Sequence, residues 1–282
     1  MSLKEVLARH NFKFKKKFGQ NFITDPGVLN KIVSTADLQP GDIVIEIGPG
    51  AGTLTKALAG EAAKVIAVEI DKELIPILNE NLNGLNNVQV VEGDALKINL
   101  DELVEQELGE KKPFKIVANL PYYITTPLVM HFLESGFNIN KIVIMVQKEV
   151  AERFTAQPGT KDYGAITVSL NLYTRPKVAF YVSRNVFTPR PDVDSAVIEL
   201  EIGREPTYQV NNMNILRKLI RAAFNQRRKT LANALKVLNV DKAQISEVLQ
   251  ETNIDPRRRG ETLTLEEYIN IANALSSKME TC

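Results

Sequence analysis

Two hydrophobic periodicities alternate along the first two-thirds of the chain. Apolar, β-branched runs of strand length fall at 42–47, 64–69, 88–92, 115–119 and 141–147. Between them apolar positions recur at helical spacing, as in 53–59 and 72–82. Strands that alternate with helices in this way build a parallel sheet covered by helices on both faces. Two later β-rich runs, 177–183 and 195–202, are separated by a short link, which predicts a hairpin and therefore a final strand antiparallel to its neighbours. After 203–206 the character changes. Leu216, Leu219, Ile220, Ala223 and Phe224, then Leu231, Leu235 and Leu238, follow a helical repeat, and 245–249 and 265–275 are two further helical patterns. The expected organisation is an α/β domain over 1–205 and a small all-helical domain over 206–282.

Composition narrows the class. In 282 residues, 44% are hydrophobic and 24% charged, the balance of a soluble globular protein. The longest apolar runs, such as 142–146, fall far short of the roughly 20 residues of a membrane span. The basic N-terminus has no apolar core of a secretory signal, so the cytoplasm is the expected compartment. One cysteine, Cys282, and two histidines, His10 and His131, give no basis for a disulfide framework or a metal cluster.

The net charge of +1 conceals segregation. Arg217, Lys218, Arg221, Arg227, Arg228, Lys229 and Lys236 lie in a stretch, 211–240, with no acidic residue. Lys13, Lys15, Lys16 and Lys17 form a second basic cluster and Arg257, Arg258 and Arg259 a third. Such clusters attract polyanions through counterion release, although a solvated helix face has the same signature.

Candidate chemistry gathers at the ends of the predicted strands. Directly after the first comes Glu46-Ile47-Gly48-Pro49-Gly50-Ala51-Gly52. Glycines there allow a tight turn and close approach to a ligand. Their spacing differs from that of pyrophosphate-binding dinucleotide folds. Glu69 ends the second strand, where a carboxylate can accept from both ribose hydroxyls of an adenosine-containing cofactor. Asp94 follows the third, where it can accept from an adenine amino group. Asn119-Leu120-Pro121-Tyr122-Tyr123 closes the fourth. A purine exocyclic amine is a poor nucleophile because its lone pair is delocalised into the ring. Two acceptors on its hydrogens, the Asn119 side-chain oxygen and the Leu120 carbonyl, favour a pyramidal nitrogen. Pro121 stiffens the turn and Tyr122 offers a stacking surface. Phe187, in Phe187-Thr188-Pro189-Arg190-Pro191, is either the second face for a flipped base or a core residue.

Taken together, these motifs resemble the ribosomal RNA adenine N6-dimethyltransferase family, from Lys15-Lys16-Lys17-Phe18-Gly19-Gln20-Asn21-Phe22 nearly to the C-terminus. The resemblance implies a Rossmann-like class I methyltransferase sheet with S-adenosyl-L-methionine as cofactor. It implies that the segment with Gln20, Asn21 and Ile23 closes over that cofactor. Gly48 would then serve its methionine end, Glu69 the ribose, Asp94 the adenine, and Asn119 the space between sulfonium and target base, with Gly50, Ile70 and Ala95 as further cofactor-binding residues. Ile23 stands where the family usually has leucine, and Arg190 interrupts a proline run and is expected to meet RNA phosphate.

The helical domain separates subfamilies. The run from Ala223 to Leu231, and Arg259-Gly260-Glu261-Thr262-Leu263-Thr264, resemble the bacterial small-subunit enzymes more than the macrolide-resistance methylases. The implied substrate is a pair of adjacent adenosines in the 3′-terminal hairpin loop of 16S RNA within the 30S subunit or its precursor. Lys15, Lys16, Lys17, Arg190, Arg221, Arg227, Arg228 and Lys229 are the expected RNA contacts. A monomer is expected, with no membrane and no metal. The competing readings are a large-subunit resistance methylase, a nicotinamide-dependent oxidoreductase, and a ribosome-assembly factor on a methyltransferase fold.

Overall fold

The computed structural model describes residues 3–10, 12–15, 19–203, 208–238 and 240–280. Lys16, Lys17, Cys282 and the expected domain boundary at 205/206 lie outside the described residues. The chain forms two compact units, one of Met1–Ala151 with Pro176–Ile202 and one of Glu152–Arg175 with Gly203–Cys282. The stretch Glu152–Arg175, which the hydrophobic pattern assigned to the α/β domain, therefore packs with the helical unit.

The first unit is built on strands β1 (Phe22–Ile23), β2 (Ile43–Ile47), β3 (Lys64–Glu69), β4 (Val88–Glu92), β5 (Phe114–Asn119), β6 (Ile139–Gln147), β7 (Thr174–Val182), β8 (Phe187–Thr188) and β9 (Ser195–Ile202). Seven of them form one sheet in the order β4-β3-β2-β5-β6-β9-β7, and β1 pairs with β8 in a separate antiparallel ladder. Pairings among β2 to β6 are parallel. β9 runs antiparallel to β6, with Gln147 opposite Ser195. The expected mostly parallel sheet with an antiparallel final strand is thus observed.

Helices α1 (Leu3–Arg9), α2 (Pro26–Ala36), α3 (Thr53–Ala59), α4 (Ile75–Asn81), α5 (Leu100–Leu108) and α6 (Thr125–Glu134) belong to this unit. Their ends follow local chemistry. Asp25 caps α2 by accepting from Val28 N at 2.9 Å, with Pro26 in the first turn. At its other end Lys115 Nζ donates to the carbonyls of Ala36 and Asp37 and pairs with Asp42 at 2.7 Å. Val44, Ile45, Val65, Ile66, Ile116 and Val117 are fully buried, as a sheet covered on both faces requires.

The second unit comprises α8 (Ala165–Tyr173), α9 (Met213–Asn225), α10 (Leu231–Ala234), α11 (Lys242–Glu251) and α12 (Leu265–Glu280), and the division of the chain falls within α7 (Lys148–Phe154) and β7. Val168, Leu216, Leu219, Leu231, Val248 and Ile271 share its core. Among the described residues, no helix is long and apolar enough to cross a membrane.

Candidate active site

A cleft of about 970 Å³, counted to its open mouth, lies in the first unit. It is lined by the residues that follow β2, β3, β4 and β5, at the carboxyl ends of parallel strands, where open α/β sheets bind their ligands. Gln20, Asn21, Ile23, Gly48, Gly50, Glu69, Ile70, Asp94, Ala95, Asn119, Leu120, Pro121 and Tyr122 all line it. Residues spread over a hundred positions of sequence are brought together there.

The glycine loop is built to let other groups approach. Gly48 (φ 67°) donates its N–H to Val68 O at 2.9 Å, which ties the loop to β3. Gly50 (φ 62°) packs against Phe22 so closely that a Cβ there would stand 2.7 Å from the ring. The missing side chain is therefore required twice, by backbone conformation and by contact.

Two buried acids face the cleft. Glu69 is 4% exposed and accepts from Asp71 N at 2.8 Å through Oε1 and from Gly50 N at 3.2 Å through Oε2. Burial outweighs those bonds and pushes its carboxyl up to about 7. Glu46 is 1% exposed, its Oε2 has no hydrogen-bond partner within normal distance among the described residues, and burial, opposed by the nearby Thr55 hydroxyl and reinforced by the charge of Glu69, pushes it up to about 8. Asp94 is half-buried, accepts from Leu96 N at 3.1 Å and lies 3.7 Å from Lys97 Nζ.

Asp71 holds the N-terminal segment against this site. It accepts from Lys15 Nζ at 2.7 Å and Gln20 Nε2 at 2.8 Å, and Gln20 Oε1 in turn accepts from Lys15 N at 2.8 Å. Burial works to raise the Asp71 carboxyl, but these bonds and the Glu73 N–H hold it below its ordinary value. The segment continues into Asn21, whose carbonyl accepts from Asn119 Nδ2 at 2.9 Å. That bond fixes the amide plane of Asn119 and leaves Oδ1 as its accepting edge. Leu120 N donates to Met145 O at 3.2 Å, and the Tyr122 hydroxyl lies 2.8 Å from Ser195 Oγ.

Several expected site residues lie elsewhere. Phe187 is 4% exposed and packs in the apolar core with Ile23, Val182 and Val197, opposite Ile23 in the β1–β8 ladder. It is not among the residues that line the cleft. Lys15 is held by Asp71 and by Glu73 at 3.0 Å, so its ammonium is engaged by carboxylates rather than presented for phosphate. Arg227 donates to the carbonyls of Lys161 and Tyr163 and pairs with Glu261 at 3.0 Å, bonds that join parts of the helical unit. Arg190, Arg221, Arg228 and Lys229 are exposed. Conversely, Glu46 and Leu128 line the cleft, and Asp71 and Ser195 support it, without having been singled out as site residues. Only Glu46 carried a usable signal, its place at the head of the glycine loop.

A family model described as "Ribosomal RNA adenine dimethylase" matches residues 11–271. Two relatives named "Ribosomal RNA small subunit methyltransferase A" are similar over nearly their whole lengths. That of Clostridioides difficile is 48% identical over 99% of this chain and 96% of its own. That of Enterococcus faecalis is 49% identical over 96% of this chain and 94% of its own. Among solved structures, a dimethyladenosine transferase from Plasmodium falciparum superposes with a TM-score of 0.78 at 28% identity, covering 92% of this chain and 98% of that one. The 23S rRNA methyltransferase ErmE superposes at 0.69 and 27% identity, covering 90% and 99%. The cleft, its glycine loop and acids, and the Asn119 loop thus sit in a chain that belongs to the ribosomal RNA adenine dimethylase family, methyltransferases that take their methyl group from S-adenosyl-L-methionine.

Proposed function

We propose that this protein methylates the N6 amino groups of two adjacent adenosines in the 3′-terminal hairpin loop of 16S rRNA, converting each to N6,N6-dimethyladenosine within the 30S subunit or its precursor. The small-subunit assignment rests on the names of the relatives near half identical to this chain. We further propose that it acts as a monomer in the cytoplasm.

The residues present fit S-adenosylmethionine. Glu46 Oε2 is a buried acceptor on the cleft wall with no hydrogen-bond partner among the described residues, and the Gly50 turn is a cradle that a Cβ would fill. Ile70, 46% exposed on the same wall, offers an apolar surface for a flat ring. In this reading Glu69 and Ile70 serve the ribose side, Asp94 and Ala95 the adenine, Gly48 and Gly50 the methionine end, and Gln20, Asn21 and Ile23 the closing segment. Bound there, the cofactor supplies an electrophilic methyl on a sulfonium.

One observation carries the reaction type: Asn119 donates through Nδ2 to Asn21 O, so its Oδ1 is left to accept. Oδ1 and the Leu120 carbonyl each take one N–H of the target amine and turn its lone pair out of conjugation toward the methyl. The chain mainly orients and localises, and no strong base is required because the proton is shed after transfer. Tyr122 supplies a stacking face on a base turned out of the RNA. Arg190, Arg221, Arg228 and Lys229, with Lys16 and Lys17, are the proposed phosphate contacts.

The test is to incubate the protein with methyl-labelled S-adenosylmethionine and immature small subunits lacking the hairpin methylations, digest the RNA and identify the labelled nucleosides by mass. Dimethyladenosine at the two adjacent hairpin adenines is expected. Label confined to large-subunit RNA would move the protein to the resistance-methylase branch, and no label despite cofactor binding would favour an assembly role.

A further inference from the structure

Tyr122 and Ser195 meet although their strands are not neighbours. Tyr122 stands in the loop after β5, Ser195 opens β9, and β6 lies between them in the sheet. Adjacent strands are about 4.8 Å apart, so β5 and β9 are separated by roughly 10 Å. The 2.8 Å contact between the Tyr122 hydroxyl and Ser195 Oγ therefore requires the tyrosine side chain to span the width of the intervening strand β6. Ser195 is a firm point of attachment. It is fully buried, directly opposite Gln147 at the end of β6, and the next residue back, Asp194, accepts from Lys148 N at 3.0 Å.

A tyrosine held only at its backbone can swing about two side-chain torsions. One that is also tied at its hydroxyl has its tilt set. Burial holds the Tyr122 phenol above its ordinary value, so it stays protonated, and each hydroxyl can donate to the other. Ser195 lies outside the cleft lining, whereas Tyr122 is part of it. We propose that Ser195 is a positioning residue for methyl transfer: its hydroxyl anchors the Tyr122 ring so that the surface on which the target adenine is laid is set before RNA arrives. The inference rests on the adenine reading above, because the ring has this task only if a base enters the cleft. It predicts that Ser195 governs transfer while leaving cofactor binding alone.

Two measurements test it. In single-turnover transfer to immature small subunits, Ser195→Ala is expected to be about tenfold slow, the cost of leaving one buried hydroxyl unpaired. Tyr122→Phe should match it, and the double variant should be no slower than either single. Calorimetry with S-adenosylmethionine should return the wild-type affinity in all three. Full-rate Ser195→Ala, losses that multiply in the double variant, or cofactor affinity lost in parallel would each overturn the anchor. The second measurement needs no RNA. In protein carrying ring-labelled tyrosine, Ser195→Ala is expected to shift the Tyr122 signals and speed its ring flips while the other six tyrosines stay unchanged. Unchanged Tyr122 signals would refute the anchor even if the RNA assay had no substrate. Changed signals with no transfer by the wild type would leave the anchor standing and sink the adenine reading instead.

Discussion

Glu46 makes the cleft's electrostatics measurable as stability. Its carboxyl is buried beside Glu69, Oε2 has no hydrogen-bond partner within normal distance among the described residues, and burial, against the opposing influence of the nearby Thr55 hydroxyl, pushes it from 4.5 up to about 8. A folded-state pKa above the unfolded value means that the unfolded chain ionises first. The stability associated with neutral Glu46 is thus fully present below about pH 4.5 and is lost as pH rises through about 8. At about 1.4 kcal/mol per unit the shift corresponds to at most about 5 kcal/mol. Glu46→Gln keeps the shape and removes the titration. Urea unfolding of the cofactor-free protein from pH 4.5 to 9 should show wild-type stability falling relative to the variant up to about pH 8, then running parallel, with equal m-values. A constant offset from an imperfectly bonded amide would not change that slope. Curves parallel across the whole range would refute the assignment of a buried, neutral Glu46.

The same acids predict proton release on cofactor binding. A cationic ligand beside Glu46 and Glu69 favours their ionised forms, so affinity for S-adenosylmethionine should rise between about pH 6 and 8, and calorimetric heats should differ between buffers of unlike ionisation enthalpy; equal heats would exclude the linkage. Asn119→Ala should slow single-turnover transfer about a hundredfold or more with cofactor affinity within a few-fold, and Asn119→Asp should not restore it because a carboxylate cannot donate to Asn21 O. Parallel loss of binding and rate would contradict that division. Because Asp71 and Glu73 engage Lys15, Lys15→Ala should leave the salt dependence of small-subunit binding unchanged, whereas replacing Arg228 and Lys229 should lower the slope of log K against log salt by about 2. A comparable fall for Lys15→Ala would return that lysine to the RNA surface.

The strands were legible because their signal is local. The bounds of β3, β4 and β9 coincide with the runs 64–69, 88–92 and 195–202, where apolar and β-branched residues are dense. Helix α8 was not legible, since Ile166, Thr167 and Val168 are β-branched. Its helical form is imposed by packing, with Val168 in the core of the second unit. The cleft's lining was legible wherever a motif ends a strand. What escaped are pairings across long sequence separations. Lys15 in a basic run looks like a phosphate contact until the fold brings Asp71, 56 residues away, against it. Phe187 gives the same letter pattern as a core ring and as a stacking ring, and its pairing opposite Ile23 is set by the fold and not by the local sequence. Ser195 sits in an apolar strand run, where a hydroxyl carries no sign of the tyrosine it meets.

The cleft divides its acceptors by charge, and the division suits the reaction. The buried acids, Glu46 and Glu69, sit on the walls formed by β2 and β3, where a bound cation would favour their ionised forms. At the end of β5, where the proposed reading would place the target amine, the acceptors are neutral, an amide and a peptide carbonyl. A carboxylate at that point would stabilise the sulfonium before transfer, lowering the ground state of the very charge that transfer must dissipate. A neutral oxygen does less for the sulfonium and still accepts from the amine, whose N–H groups become stronger donors as positive charge develops on nitrogen. Neutral acceptors give less electrostatic pull and must be well aimed, which is the work of the Asn119–Asn21 bond. Because Asn21 belongs to the segment that Asp71 holds down, the orientation of the Asn119 amide depends on the same contacts that hold that segment against the cleft, which couples the proposed catalytic amide to the proposed closing segment.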